Sequence, residues 1–202
     1  MGGRPRDERI TDAVLHSTRE LLGEVGYHGL TVEALAARAE TTKTAIRRRW
    51  PSLKHVVIAA MTHDDLLRAT PDTGCTHCDL LVLVEELRLS MDDVMLGKIL
   101  PALLLDLADD EDLKRRFLGS FWKPRRERAD RVLERAVARG ELRADLDFAL
   151  AQDLAAGAVV YRFLFEHAEL DRAMSERIVE YVMQGIGDVG PSPSPLCTAT
   201  RT

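Results

Sequence analysis

The chain has 202 residues, 46% hydrophobic and 30% charged, with a formal net charge of -5, a profile of a soluble globular protein rather than a fibrous or disordered one. The opening "MGGRPRDERI" has no apolar stretch after its charges, and apolar runs such as "LLVLV" at Leu80 to Val84 fall far below the ~20 residues of a spanning helix, so neither a leader nor a membrane span is expected and the expected location is cytoplasmic. Three cysteines, Cys75, Cys78 and Cys197, cannot all pair within one chain and do not form the framework of a secreted disulfide protein.

Between Glu8 and Gly187 prolines and β-branched runs are scarce and apolar residues recur at spacings of three and four, which predicts an all-α fold. Residues 1–9 read as a flexible basic arm whose Arg4 and Arg6 suit a minor groove. A first helix is expected from about Asp7 to Val25, with Ile10, Ala13, Val14, Leu21 and Val25 on one face and Gly26 as its left-handed cap. Thr31 then caps a short second helix carrying Val32, Leu35, Ala36 and Ala39. Thr42 caps a third, Lys43 to Trp50, which Pro51 stops. Two short helices joined by a tight turn and packed on a longer one make a helix-turn-helix. Ser52 starts a fourth helix, running to about Leu67 through Val56, Val57, Ala60 and Met61.

This three-helix head, residues 10–63, is expected to be a DNA-binding domain. Residues 1–63 hold ten Lys/Arg against seven Asp/Glu, net +3, whereas the remainder is net -8, the asymmetry expected of a head that meets a polyanion. On a helical wheel Ile46 and Trp50 fall together, while Thr44, Ala45 and Arg48 fall opposite with Arg47 and Arg49 flanking them. That arrangement lets Arg48 pair with guanine, Ala45 touch a thymine methyl, and the other arginines neutralise phosphates of double-stranded DNA.

After the break "ATPDTGCTHC", a body of residues 64–189 is expected, with helices near Asp79 to Met91, Met95 to Asp106, Glu111 to Phe121, Pro124 to Arg139, Asp147 to His167 and Met174 to Ile186. The tail, residues 190–202, is too rich in Pro, Ser and Thr to be expected to order. Met91, Met95, Leu103, Phe117, Phe121, Trp122, Tyr161 and Phe165 are the large side chains available to line a pocket for a small molecule. Small residues Ala151, Ala155 and Ala158, with Val159, Ile178 and Val182, suit a four-helix interface between two copies. Residues 113–139 hold ten Lys/Arg against three Asp/Glu, read as a solvated face with pairs such as Glu127 and Arg131. "CTHC" at Cys75 to Cys78 has the gap of zinc and redox pairs, but no second ligand pair follows, so a loop holding two thiols is the plainer reading. No catalytic or phosphate-binding motif is present, so neither an enzyme nor a cofactor is expected.

The stretch "HSTRELLGEVGYHGLTVEALAARAETTKTAIRRRWPSLKHVV" resembles the tetracycline-repressor (TetR) family across about fifty residues, roughly Ile10 to Met61, and "FWKPRRERADRVLERAVARGEL" is similar to one subgroup of that family's effector domains. The resemblance implies an all-helical homodimer whose body binds a small-molecule effector and releases operator DNA. It assigns phosphate contact to Thr31, helix capping to Thr42 and the first basic contact to Lys43. Three positions depart from the pattern: Glu40 stands for a turn glycine, Arg47 for a phosphate-contacting tyrosine, and Leu53 for a lysine, with Lys54 one residue later as the expected DNA contact. The expected function is a ligand-responsive repressor. The alternatives are a helix-turn-helix regulator whose body binds a protein or nothing, or a small all-α enzyme or thiol or metal sensor using Cys75 and Cys78.

Overall fold

The computed structural model describes residues 4–63 and 69–184, and every regular element among them is helical. The head comprises α1 (Arg4–Gly29), α2 (Val32–Arg38), α3 (Lys43–Arg49) and α4 (Leu53–His63). Arg4 and Arg6 lie within α1 rather than in a free arm, Pro5 sitting in the first turn where its missing amide costs nothing. Gly26 breaks α1 with φ 70 and ψ -178, an extended positive-φ conformation that only glycine adopts readily rather than the expected left-handed cap.

Val14, Leu21 and Leu22 of α1, Leu35 of α2, Ile46 of α3 and Val56, Val57 and Met61 of α4 form the head's core. Arg38 clamps α2 to α1 through two bonds to Glu24, at 2.9 and 2.8 Å. The far end expected for the fourth helix, toward Leu67, lies outside the described residues, as does the tail with Cys197.

The body contains α5 (Thr76–Ser90), α6 (Leu100–Asp109), α7 (Glu111–Phe117), α8 (Lys123–Ala138), α9 (Phe148–Phe165) and α10 (Arg172–Gln184). α5 is packed by α8, α9 and α10, and the head's α1 reaches the turn before α6, so head and body share one apolar cluster. Two stretches expected as ordinary α-helix are π-helical, Val94–Ile99 and Leu118–Trp122. Each ends two residues before a proline, Pro101 or Pro124, whose absent amide leaves the carbonyl four residues earlier without its α-helical partner and lets the turn widen. Gly97 in the first of these turns has no substitute, since a Cβ there would lie 1.9 Å from the Met91 carbonyl oxygen.

Candidate nucleic-acid interface

α3 is held by its two ends. Thr42 Oγ1 accepts the Ala45 amide at 3.1 Å, and Trp50 turns the chain into an extended conformation while its amide donates to the Ile46 carbonyl. Ile46 and Trp50 are buried, and Thr44, Arg47 and Arg48 are exposed with Ala45 half-buried beside them. The structure therefore presents the predicted reading face outward and anchors it from behind. Thr31 Oγ1 likewise accepts the Ala34 amide at 3.1 Å, which leaves the hydroxyl hydrogen available to a phosphate.

Two basic residues have other engagements. Arg49 is half-buried and its Nη1 donates to the Ala45 carbonyl at 2.9 Å, along its own helix. Lys43 Nζ donates to Glu33 at 2.6 Å, and that bond holds the Glu33 carboxyl below its ordinary value. A phosphate approaching Lys43 thus competes with Glu33.

Glu40 closes α2 in the left-handed conformation at φ 47. The Thr41 amide donates to Ala36 O at 2.9 Å and the Glu40 amide to Ala37 O at 3.3 Å, the paired bonds of a Schellman cap. The turn keeps the shape that suits glycine, with glutamate bearing its strain. Glu40→Gly should raise stability by about 0.5–1 kcal/mol in urea titrations. Removing the carboxylate should also tighten binding to every DNA sequence alike.

Lys54, expected to face DNA, instead points toward the body: its Nζ donates to Asp106 of α6 at 2.6 Å. Tyr27 at the end of α1 donates its hydroxyl to the other oxygen of the same carboxylate. Beside them the buried His55 of α4 is hydrogen-bonded to Ser52 Oγ at 2.9 Å, with Asp112 at 3.4 Å on its other side. Lys54 first, then Tyr27, holds the Asp106 carboxyl below the usual range.

A carboxylate whose folded pKa is depressed stabilises fully above its unfolded value and ceases to do so as pH falls through the folded one. Asp106→Asn should therefore lose about 1–2 kcal/mol at neutral pH, a modest figure because Lys54 is half exposed. The gap between variant and parent in denaturant midpoint should narrow only in acid, below the ordinary carboxylate range.

Most of the body's basic island is solvated as expected, with Lys114, Arg115, Arg116 and Lys123 exposed. Arg128, Arg131 and Arg135 of α8, with Arg139 at its C-cap, also hold the chain leading into α5. Arg128 donates to Ala69 O at 2.9 Å and pairs with Glu86. Arg131 reaches Thr70 Oγ1 at 3.2 Å rather than Glu127. Arg135 donates to Pro71 O, and Arg139 to Thr76 Oγ1 at 2.7 Å. The helical period of these arginines is visible in "RADRVLERAVAR", and that signal was available to sequence reasoning.

Of the predicted pocket residues, Met91, Met95, Leu103, Phe117 and Phe121 are buried together, with Phe117 and Phe121 stacked at 4.9 Å. Tyr161 and Phe165 are not among them: they stand 58% and 64% exposed on the outer side of α9, and Trp122 faces an open groove along α8 with Leu118 and Lys123. The residues expected to join two copies lie mostly toward the protomer's own core. Ala151, Val159 and Ile178 face the protomer's own core, and Ala155, Ala158 and Val182 are half-buried against it. What remains outside is a stripe of larger side chains, Leu150, Leu154, Tyr161 and Phe165, and Tyr181 of α10 is exposed as well. α9 as a whole, 18 residues with mean hydropathy 1.3, has the length and composition to cross a membrane, contrary to the expectation from uninterrupted runs. Among the described residues no group of three or more His, Cys, Asp or Glu side chains is placed to hold a metal.

A capped recognition helix exposing Thr44, Arg47 and Arg48 on a helical body defines the class: a helix-turn-helix transcriptional regulator that binds DNA and is not an enzyme. The chain belongs to the TetR family. Residues 14–60 match the domain described as "Bacterial regulatory proteins, tetR family", and residues 70–182 match "Tetracyclin repressor-like, C-terminal domain". The chain is 31% identical to the uncharacterised HTH-type transcriptional regulator YdeS of Bacillus subtilis, covering 91% of this chain and 93% of that one. It is 29% identical to the DNA-binding transcriptional repressor TetR of Mycobacteroides abscessus, over 88% and 94% of the two chains. Among solved structures, the TetR family regulator SCO0332 superposes with a TM-score of 0.77 at 30% identity, over 89% of this chain and 99% of that one. FadR of Bacillus subtilis, in complex with stearoyl-CoA, shares the fold at a TM-score of 0.66 and 17% identity, over 87% and 99%.

Proposed function

We propose that this chain is a cytoplasmic, homodimeric repressor that grips a two-fold-related operator and is released by a small apolar or amphipathic molecule. The observation that carries the reading is the contact between head and body: Asp106 of α6 is held at once by Tyr27 and Lys54, so any displacement of α6 acts on the ends of both α1 and α4. The buried group of Met91, Met95, Leu103, Phe117 and Phe121 takes Met95 and Phe121 from the two π-helical turns, where the backbone departs from regular packing. The repressor named among the relatives supports the sign of regulation. Residues 10–63 form the DNA-binding unit in this reading, and the chain beyond residue 64 receives the effector and the second copy.

Two heads neutralising ~6–10 phosphates should lose a factor of ~10³–10⁵ in affinity between about 50 and 200 mM salt. Competition titration of the protein–operator complex against a broad panel of apolar and amphipathic compounds tests the effector. Release by one class of compound, with operator weakening that compound's binding by the same factor, is the expected result. A salt-independent interaction would remove the operator reading, and failure of every compound would leave a DNA-binding dimer whose body serves a protein partner or none.

A further inference from the structure

The pair Cys75 and Cys78 lies outside everything assigned so far, at the point where the chain held by the α8 arginines enters α5. Cys75 occupies the N-cap position of α5, and its Sγ accepts the Cys78 amide at 3.2 Å. Both cysteines are free, Cys75 half-buried and Cys78 exposed. The approach to the helix is braced: the Thr73 amide and hydroxyl donate to Asp79 Oδ1 at 2.9 and 2.7 Å, and the Cys75 amide donates to Thr73 Oγ1 at 3.3 Å. Residues three apart at a helix start have Cα atoms roughly 5 Å apart, within the ~4.4–6.8 Å that a disulfide spans, so closing one requires no unwinding of α5.

We propose that Cys75 and Cys78 are a redox-active dithiol, with Cys75 the attacking thiolate and Cys78 the resolving thiol, which closes to an intramolecular disulfide by exchange with small organic disulfides. The division of roles follows from the cap. Cys75 Sγ is held at the helix start by the Cys78 amide it accepts, which fixes this sulfur for attack with Cys78 one turn further along the helix. The Cys78 thiol is pushed above its ordinary value, chiefly by its hydrogen bond to Cys75, with burial and the neighbouring Asp79 carboxylate adding to it. Asp79 is fully buried, and its Oδ1 accepts both Thr73 bonds, so the carboxyl fixes the loop that carries Cys75.

In the first step the Cys75 thiolate attacks one sulfur of a disulfide RSSR, forming the mixed disulfide Cys75–S–S–R as the S–S bond of RSSR breaks and RS⁻ leaves. In the second, Cys78 gives up its proton and attacks the Cys75 sulfur, forming the Cys75–Cys78 bond and expelling the second RS⁻. The two protein thiols lose two electrons, RSSR gains them, and the two thiol protons end on two RSH.

The test uses the full-length protein carrying Cys197→Ser, so that only these two thiols remain. It is incubated with oxidised glutathione at neutral pH, quenched in acid, alkylated and read by mass spectrometry. Loss of both thiols to an internal disulfide, with no adduct persisting, is the expected result. Adding Cys78→Ser should trap the glutathione adduct on Cys75. Adding Cys75→Ser, which supplies a stronger N-cap and so should fold, should leave Cys78 to form only a persisting glutathione adduct, about tenfold or more slowly than Cys75 does in the Cys78→Ser variant, because Cys78 is then without the resolving partner and without the N-cap position. Two thiols still free under conditions that oxidise a reference dithiol would overturn the proposal. So would a disulfide formed only between chains, or equal reactivity of the two single-thiol variants. None of these outcomes bears on the operator reading.

Discussion

In the proposed homodimer, Tyr161→Glu together with Phe165→Glu should separate the two copies and reduce operator affinity by about 10²–10⁴-fold, since each head would then have to bind its half-site without the effective concentration its partner provides. Both rings lie on the stripe of α9 that the protomer leaves uncovered, with Leu154, 54% exposed, two turns before Tyr161. Tyr161 and Phe165 pack on each other at 4.8 Å, so they form a continuous apolar surface rather than scattered side chains. Burying each such side chain against a second copy is worth about 1.5–3 kcal/mol, and a two-fold axis repeats the gain. Glutamates at the same positions would be buried opposite one another without partners, which reverses the sign of the contact. The helical signal of the variant should be unchanged, because neither ring belongs to the protomer core. Sedimentation velocity and operator titration decide the matter. A double variant that remains a dimer with full affinity would move the interface elsewhere, the α8 groove around Leu118 and Trp122 being the next candidate surface.

The parts of this molecule that were legible in the sequence are those fixed by residues close along the chain. Thr31 and Thr42 cap because a hydroxyl three residues before a free amide is a local arrangement, and Ile46 with Trp50 face inward because helical period alone decides it. Glu40 departs from the family's turn glycine, and its left-handed conformation is imposed by the two backbone bonds that close α2 rather than announced by its own side chain. Lys54 was misread because its partner, Asp106, lies 52 positions away and nothing local announces it. The same holds for the α8 arginines, whose acceptors are backbone carbonyls and hydroxyls some 60 residues earlier. On α9 the difficulty is different. The helix is apolar on nearly every side, so period could not separate core from interface, and small residues were assigned outward where the structure turns several of them in and leaves the large ones out. The π-helical turns follow from Pro101 and Pro124, but a proline in a first turn is also compatible with an undistorted start, and the sequence carries both readings.

Trp50→Ala and Arg48→Ala should separate anchoring from reading within a single helix. Trp50 is only 8% exposed, packs with the head's core and sits where α3 ends against Pro51, so its removal leaves a large void behind the recognition helix. The expected loss is about 3–5 kcal/mol of stability, read as a lower urea midpoint, because a cavity of that size costs both transfer energy and packing. DNA binding should fall for all sequences in proportion to the fraction unfolded and to the loosened helix. Arg48 is exposed on the opposite side of α3, so Arg48→Ala should leave the midpoint within about 0.5 kcal/mol. Its effect should instead appear on DNA, as about 1–3 kcal/mol per half-site and a relaxed preference at one base pair, while Arg47→Ala should weaken every sequence evenly and reduce the salt slope. Head and body share one apolar cluster, so the Trp50 loss should be felt in the melting of the whole protomer and not in a separate transition of the head. If Arg48→Ala unfolded the protein while Trp50→Ala left the midpoint unchanged and altered base preference, α3 would have to lie the other way round, with the indole against the DNA.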